Sequence, residues 1–288
     1  MRQEGSLATL AELLATNRIS EALEVVEAAI GRFAGATNTV FIGAGESTAG
    51  FIGGALNVII DFDQVNTRAV NIMRQNRFRL VTQFTQDQAR ATRAALVDGI
   101  TRGLNPLDQA RNFRSSIGLT ERQVEAVNNY RRLLRSNSSE SLTRQLRDRR
   151  FDGSVRRSIS TGEALSDAQI DRMVGRYNER SLVFRSEVIA RTEALRAVHE
   201  GSDEMFAQAF ESGDLNPEQV IQQWLTASDG LVREPAHTFM HLQERRVGVP
   251  FDSGIGNQLR FPGDASAPAK DVVMCRCVVT TRITSIAA

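Results

Sequence analysis

Apolar residues recur at helical spacing over most of this chain. Leu7, Leu10, Leu13 and Leu14, continued by Ile19, Leu23, Val26 and Ile30, predict a helix from Leu7 to Ile30. From Gln64 to about Gly213 the pattern predicts helix almost throughout. Three hydroxyl-x-x-Gln boxes mark helix starts: Thr85 with Gln88, Thr120 with Gln123, and Ser166 with Gln169. In each, the hydroxyl takes an orphan N–H while the glutamine reaches back to the cap. Gly103, Gly118 and Gly162 stand where helices should stop. The longest periodic stretch runs from Asp167 to Glu211, with Ile170, Met173, Val174, Tyr177, Leu182, Phe184, Val188 and Ile189 as its apolar positions and Ser181 as a place where it could break.

The pattern changes after Asn216-Pro217, an N-cap with proline at the first helical position. Val249-Pro250-Phe251, Gln258 to Phe261 and Val272 to Ile283 read as extended segments, the last dense in β-branched residues. The expected class is therefore α+β: a long, mostly helical N-terminal part followed by a small mixed C-terminal domain. The expected division is residues 1–62, an N-terminal helix with a small-residue segment; 63–183, helical; and 184–288, α+β.

The small-residue segment, Gly31 to Phe62, is rich in Gly, Ala and Thr, with Glu46 and Asp61 among its few charges. It reads either as a piece that inserts in a membrane or tight channel, or as a small-residue helix packed in an assembly. The chain has no apolar run of about 18–20 residues, so no ordinary transmembrane span is expected. Neither does the beginning, with Arg2 and Glu4, read as a secretory signal. The formal net charge of +1 sets up no global attraction to nucleic acid or membrane. Basic residues are nearly all arginine, Lys270 being the one lysine. This suits bidentate phosphate or carboxylate contacts, and equally a codon bias.

One local patch is basic: Arg131, Arg132, Arg135, Arg144, Arg147, Arg149, Arg150, Arg156 and Arg157, against Glu140, Asp148 and Asp152. It could track a DNA backbone, contact an acidic partner protein, or be a solvated face. Phe151 is the one aromatic within it, which argues against a base-stacking platform.

The densest candidate chemistry lies near the C-terminal end. Asp229, Arg233 and His237 are spaced by four, so Asp229 and Arg233 can pair, although Pro235 predicts a turn leading into a short helix. His237 and His241 are also four apart, and Cys275 and Cys277 would share one face of a strand. Together they offer a His2Cys2 zinc site. The alternative is a structural polar cluster: buried cysteines packing as small hydrophobes, Trp224 in the core, and Arg276 on the opposite face paired with a carboxylate. A disulfide between residues two apart is geometrically awkward, so reduced thiols are expected. His199, isolated on a helix, reads as a surface residue. There is no serine nucleophile elbow, phosphate-binding P-loop or dinucleotide turn.

The order of these pieces carries a resemblance. Ile189-Ala190-Arg191-Thr192-Glu193-Ala194, then Trp224, Asp229, Val232-Arg233, His237, Phe251, Pro262-Gly263-Asp264 and Cys275-Arg276-Cys277 resembles the phage Mu F-like minor head proteins, also called phage head morphogenesis proteins. The motif-bearing match spans about Arg185 to Arg282. Upstream, Ile117-Gly118-Leu119-Thr120, Tyr130 to Leu134 and Arg150-Phe151-Asp152 also look like this family. Two departures stand out. The family usually has Asn before Cys-Arg-Cys, where this chain has Met274. Its histidine is followed by an L/M-x-G-Q pattern, where this chain reads His241-Leu242-Gln243-Glu244.

The resemblance implies a non-enzymatic minor head protein of a tailed phage or prophage. Such a protein is made in the host cytoplasm and incorporated at the portal vertex or capsid interior. Its partners would be the portal protein, the major capsid or scaffold protein, and packaged DNA, which some members accompany on ejection. The resemblance also implies a domain grouped with the ADP-ribosyltransferase-like fold, an analogy that confers no activity. On this reading Arg191, Thr192, Glu193, Trp224, Asp229, Arg233, His237, Pro262, Gly263, Asp264, Cys275, Arg276 and Cys277 form a structural cluster, with no catalytic or cofactor-binding residue. The alternatives are an ADP-ribosyltransferase delivered with the genome, or a zinc-stabilised DNA-binding module.

Overall fold

The structure, a computed structural model, describes residues 19–76 and 118–284, with single positions at 79, 82, 83, 86, 87, 90 and 91. Leu7 to Leu14 of the first stripe, the Thr85/Gln88 box, Gly103 and Ile117 lie outside the described residues. The architecture is α+β: long helices, then a small region with antiparallel strands. The chain forms two compact units, each built from two separate stretches. One takes Met1–Ile30 and Phe78–Glu187, the other Gly31–Arg77 and Val188–Ala288. Residues 31–77 therefore group with the C-terminal stretch.

In the first unit, α1 (Ile19–Leu56) begins outside the second unit and continues into it. Further along, the Thr120 hydroxyl accepts from Gln123 N–H and Gln123 Oε1 accepts from Thr120 N–H at 3.0 Å, so this capping box forms as predicted. Its helix, Glu121–Arg135, buries Val124, Val127, Tyr130 and Leu134 at helical spacing. A short helix, Asp152–Thr161, stops at left-handed Gly162, again as predicted. The Ser166/Gln169 box then opens the 46-residue helix Asp167–Ser212. That helix buries Ile170, Met173, Val174 and Tyr177 in the first unit's core, where Tyr177 stacks on Tyr130 at 4.6 Å. The helix runs unbroken through Ser181. The Ser181 hydroxyl bonds the Tyr177 carbonyl at 2.9 Å, a back-bond that a continuous helix tolerates. Phe184, expected to be apolar-facing, is 46% exposed.

In the second unit, residues 31–56 of α1 pack with residues 188–212 of the long helix. Small residues make this possible: a Cβ on Gly201 would collide with the Phe41 carbonyl. Within Gly31–Phe62 itself, a Cβ on Gly45 would meet the Phe62 ring and one on Gly53 the Val58 carbonyl, each at 2.7 Å, whereas Gly31, Gly35, Gly43, Gly50 and Gly54 face open space. Among the described residues no helix is long and apolar enough to cross a membrane. A further helix over residues 67–76 is tied to the same long helix by Arg68–Glu204 at 2.6 Å and Asn76–Glu200 at 2.6 Å. Ala49, Ile52, Ile60, Met205, Phe206 and Val220 fill the space between helices and sheet.

The sheet has three antiparallel strands in the order β2-β1-β5, where β1 is Val220–Leu225, β2 is Glu244–Arg246 and β5 is Val278–Ile283. Val220, Gln222 and Trp224 of β1 are buried and their neighbours half-buried, the period-two signature of one covered face. A second pair, β3 (Phe251–Asp252) with β4 (Gln258–Leu259), forms a short hairpin. Val272 to Ile283 is not one extended segment. Residues Ala269–Val272 make a helical turn, and Met274 at φ +57° turns the chain before β5 begins. Asn216 caps a 3-10 turn with Pro217 at its first position, as predicted.

Candidate functional site

The second unit gathers most of the residues singled out in the sequence. At its centre Trp224 is fully buried, with Phe251 edge-on at 5.3 Å and His237 edge-on at 5.9 Å. His237 sits in a run of turns after a cis Glu234–Pro235 bond, and no helix forms there. The 229-233-237-241 spacing gives one isolated i,i+4 bond and no continued helix. In it, His237 N–H donates to the Arg233 carbonyl at 2.8 Å.

Cys275 and Cys277 are both free and buried, and they face the same side, though from the turn before β5 rather than from a strand. Their sulfurs lie 3.7 Å and 3.4 Å from His237 Nδ1, and Cys277 N–H donates to the Cys275 sulfur at 3.4 Å. Hydrogen bonding from the Cys277 thiol, together with His237 and the Cys277 N–H, holds the Cys275 thiol below the ordinary thiol range. Thiolate character at Cys275, with burial, pushes Cys277 upward. His237 Nε2 is buried without a hydrogen-bond partner among the described residues, and the Trp224 indole N–H is directed at the Cys277 sulfur.

His241 does not join this group. Its Nδ1 accepts from the Thr226 N–H at 3.2 Å, so the His2Cys2 arrangement is replaced by one histidine and two cysteines. The Asp229–Arg233 pair is likewise replaced. Asp229 binds Arg276 through two bonds of 2.7 and 2.5 Å, which hold its carboxyl below the ordinary range. Arg233 donates instead to the carbonyls of Asp271 and Val273. The expectation that Arg276 pairs with a carboxylate opposite the cysteines is met. What the linear pattern missed is that this carboxylate is Asp229, 47 residues away.

A second cluster is built on the long helix. Thr192 accepts from the Met274 N–H at 3.1 Å, and so aims the cysteine turn. Arg191 is exposed and takes no part. Arg196, absent from the expected set, is buried instead. It binds both Glu193 oxygens at 2.7 and 2.9 Å and donates to the Gly263 carbonyl at 2.7 Å. The i,i+3 spacing of Glu193 and Arg196 on a helix was the signal available for it. Gly263, at φ +89°, leaves no room for a side chain: a Cβ there would lie 3.2 Å from the Arg196 backbone. Burial pushes the Asp264 carboxyl up, but N–H donors from Arg260 and Ser266 outweigh it and hold the group low. Pro262 precedes this turn.

Both departures from the family pattern fall at unusual backbone positions. Met274 has φ +57°, a conformation asparagine tolerates better than other non-glycine residues. Set against L/M-x-G-Q, Met240-His241-Leu242-Gln243 puts Leu242 at the glycine position, and Leu242 has φ +65°. Left-handed backbone costs an L-residue roughly 1–2 kcal/mol. Leu242→Gly and Met274→Asn are each expected to raise stability, by up to about 1 kcal/mol. A denaturant midpoint that does not rise in either variant would remove this reading of the two positions.

His199 is not a surface residue. It stacks on Phe261 at 6.1 Å and lines a cavity of about 270 Å³ with Thr48, Gln222 and Phe206. Burial lowers its imidazole to about 4, so it stays neutral near pH 7. Glu193 and the cysteines do not line this cavity.

In the first unit, six of the nine patch arginines are ion-paired. Arg131 pairs with Asp171, Arg135 with Asp167, Arg144 with Glu140, Arg147 and Arg156 with Asp152, and Arg150 with Asp148. The hydrogen bond from Arg150 holds the Asp148 carboxyl down at about 2. Arg132, Arg149 and Arg157 are exposed and make no ion pair among the described residues. Two of the acids, Asp167 and Asp171, come from the long helix and lie outside the window in which the patch was counted. Compared with protein-family models, curated proteins and solved structures, the chain matches none.

Proposed function

We propose that this chain is a minor head protein of a tailed phage or prophage, acting in capsid assembly at the portal vertex or capsid interior. The observation that carries this reading is where the chain departs from the family pattern. The family's Asn and Gly correspond to Met274 and Leu242, two of the few non-glycine residues with left-handed backbone. A resemblance by chance has no reason to call for those residue types at those backbone positions.

The rest of the ordered set supports the same reading. Thr192, Glu193, Trp224, Asp229, Arg233, His237, Gly263, Asp264, Cys275, Arg276 and Cys277 are spread over more than eighty positions, and their bonds hold one small unit together. Their work is then structural. Both oxygens of Glu193 are spent on Arg196, which leaves no free carboxylate for an oxocarbenium-like transition state. Partners would be the portal protein and the major capsid or scaffold protein. DNA contact, if made by the patch, falls to Arg132, Arg149 and Arg157.

The test compares particles assembled with and without this gene. Loss of infectious particles, with the protein found in purified virions of the complemented strain, is expected. Equal yield and infectivity without it would overturn the assembly role. The transferase alternative is addressed by incubating the pure protein with labelled NAD and host lysate. Label transfer by the wild type that is lost in a Glu193→Gln variant with unchanged melting temperature would replace the structural reading with an enzymatic one.

A further inference from the structure

We propose that His237, Cys275 and Cys277 bind a zinc ion through three protein ligands, leaving one coordination position to a water or an exogenous donor. This does not depend on the head-protein reading. The three donor atoms, one imidazole nitrogen and two sulfurs, all lie within 4.8 Å of one another, and all three residues are buried. Zinc bound tetrahedrally at about 2.3 Å to sulfur and about 2.0 Å to nitrogen separates neighbouring nitrogen and sulfur ligands by about 3.5 Å. The observed separations are 3.7 and 3.4 Å. Both nitrogen–sulfur sides of the donor triangle already have the length that zinc imposes.

The surroundings support the same assignment. Packing alone would not place a fully buried imidazole with sulfurs as the sole neighbours of its Nδ1, because a buried polar ring needs a strong partner. The Cys277 N–H directed at the Cys275 sulfur is the kind of outer contact that steadies a metal-bound thiolate. Two thiolates and an imidazole, with no carboxylate among them, suit a thiophilic ion and disfavour magnesium or calcium.

The ligands are positioned before any metal arrives. Thr192 holds Met274 N–H at 3.1 Å, Cys275 N–H bonds the Val272 carbonyl at 3.2 Å, and His237 N–H bonds the Arg233 carbonyl at 2.8 Å. The site ties the turn before β5 to the turn region 38–40 residues upstream. Histidine four residues on, at 241, is excluded by its bond to Thr226. This separates a three-ligand site from the four-ligand one that the H-x3-H spacing alone would suggest.

The experiment uses the untagged full chain under reducing conditions. The expected result is about one zinc per chain on purification, released by a strong chelator with a fall in melting temperature that zinc restores and magnesium does not. Cobalt added to the stripped wild-type protein should give a near-ultraviolet thiolate-to-cobalt charge-transfer band. His237→Asn should weaken zinc binding by ~100-fold or more, beyond what an outer contact contributes. His241→Asn should bind as the wild type does. Folded wild-type protein that takes up no zinc and shows no cobalt band overturns the site, with no reliance on a variant that might misfold. Retention of copper(I) in preference to zinc overturns the choice of metal. Loss of zinc in a folded His241→Asn variant overturns the three-ligand assignment.

Discussion

Trp224→Ala should destabilise the second unit by about 3–5 kcal/mol, more than any other single truncation in its core. Trp224 is fully buried, and it is the piece against which Phe251 and His237 both pack edge-on. Its loss leaves a cavity bordered by Met240, Leu259 and the two cysteines, which belong to short turns and two-residue strands. Such elements are held by this core more than by their own hydrogen bonds. A fall of roughly 6–20 °C in the melting temperature is the expected readout. Trp224→Phe should recover part of it, since the edge-on contact with Phe251 survives. Melting unchanged in Trp224→Ala would mean that this cluster is not the core of the unit.

Glu193→Ala is expected to cost about 3–5 kcal/mol for a different reason. Besides the volume it removes, it strips a buried guanidinium of the carboxylate that faces it at 2.7 Å. Arg196 then remains committed to the Gly263 carbonyl, inside a space that a Cβ on Gly263 would already overfill. The sign of the pair's own contribution is a separate matter. Taking two ions from water costs nearly as much as their attraction returns, so Glu193→Ala/Arg196→Met should be more stable than Glu193→Ala alone. A double variant no better than the single one would locate the damage elsewhere than in the orphaned charge.

How much of this was legible in the chain depended on distance along it. The Thr120/Gln123 and Ser166/Gln169 boxes, the Gly162 stop and the Asn216-Pro217 cap were all readable, because each is settled within four residues by local hydrogen bonding. The burial of Trp224 was readable from its setting in a small α+β region. The partners of the charged residues were not. Asp229 has Arg233 four residues on, yet it binds Arg276, because Pro235 denies the helix that would have joined the nearer pair. His241 failed as a ligand because its Nδ1 is taken by Thr226, fifteen residues away. The i,i+3 spacing of Arg196 from Glu193 says nothing of its bond to Gly263, and His199 reads as a surface residue because nothing local shows Phe261 stacking on it. The basic patch was overcounted in charge, because two of its counter-ions sit on another helix.

The interleaving of the two units has a consequence for synthesis. Residues 31–77 leave the ribosome with Phe41, Ala49 and Ile52 on a face whose partners, Ala197, Met205, Phe206 and Val220, have not yet been made. At about 5–20 residues per second, the intervening 78–187 occupy the ribosome for roughly 5–20 s. During that interval an apolar helical face stands uncovered on a nascent chain, while the stretch that follows it can already begin to fold. This protein is therefore a natural client for whatever binds exposed hydrophobic surface at the tunnel exit, and its yield should depend on that protection more than its final stability would indicate.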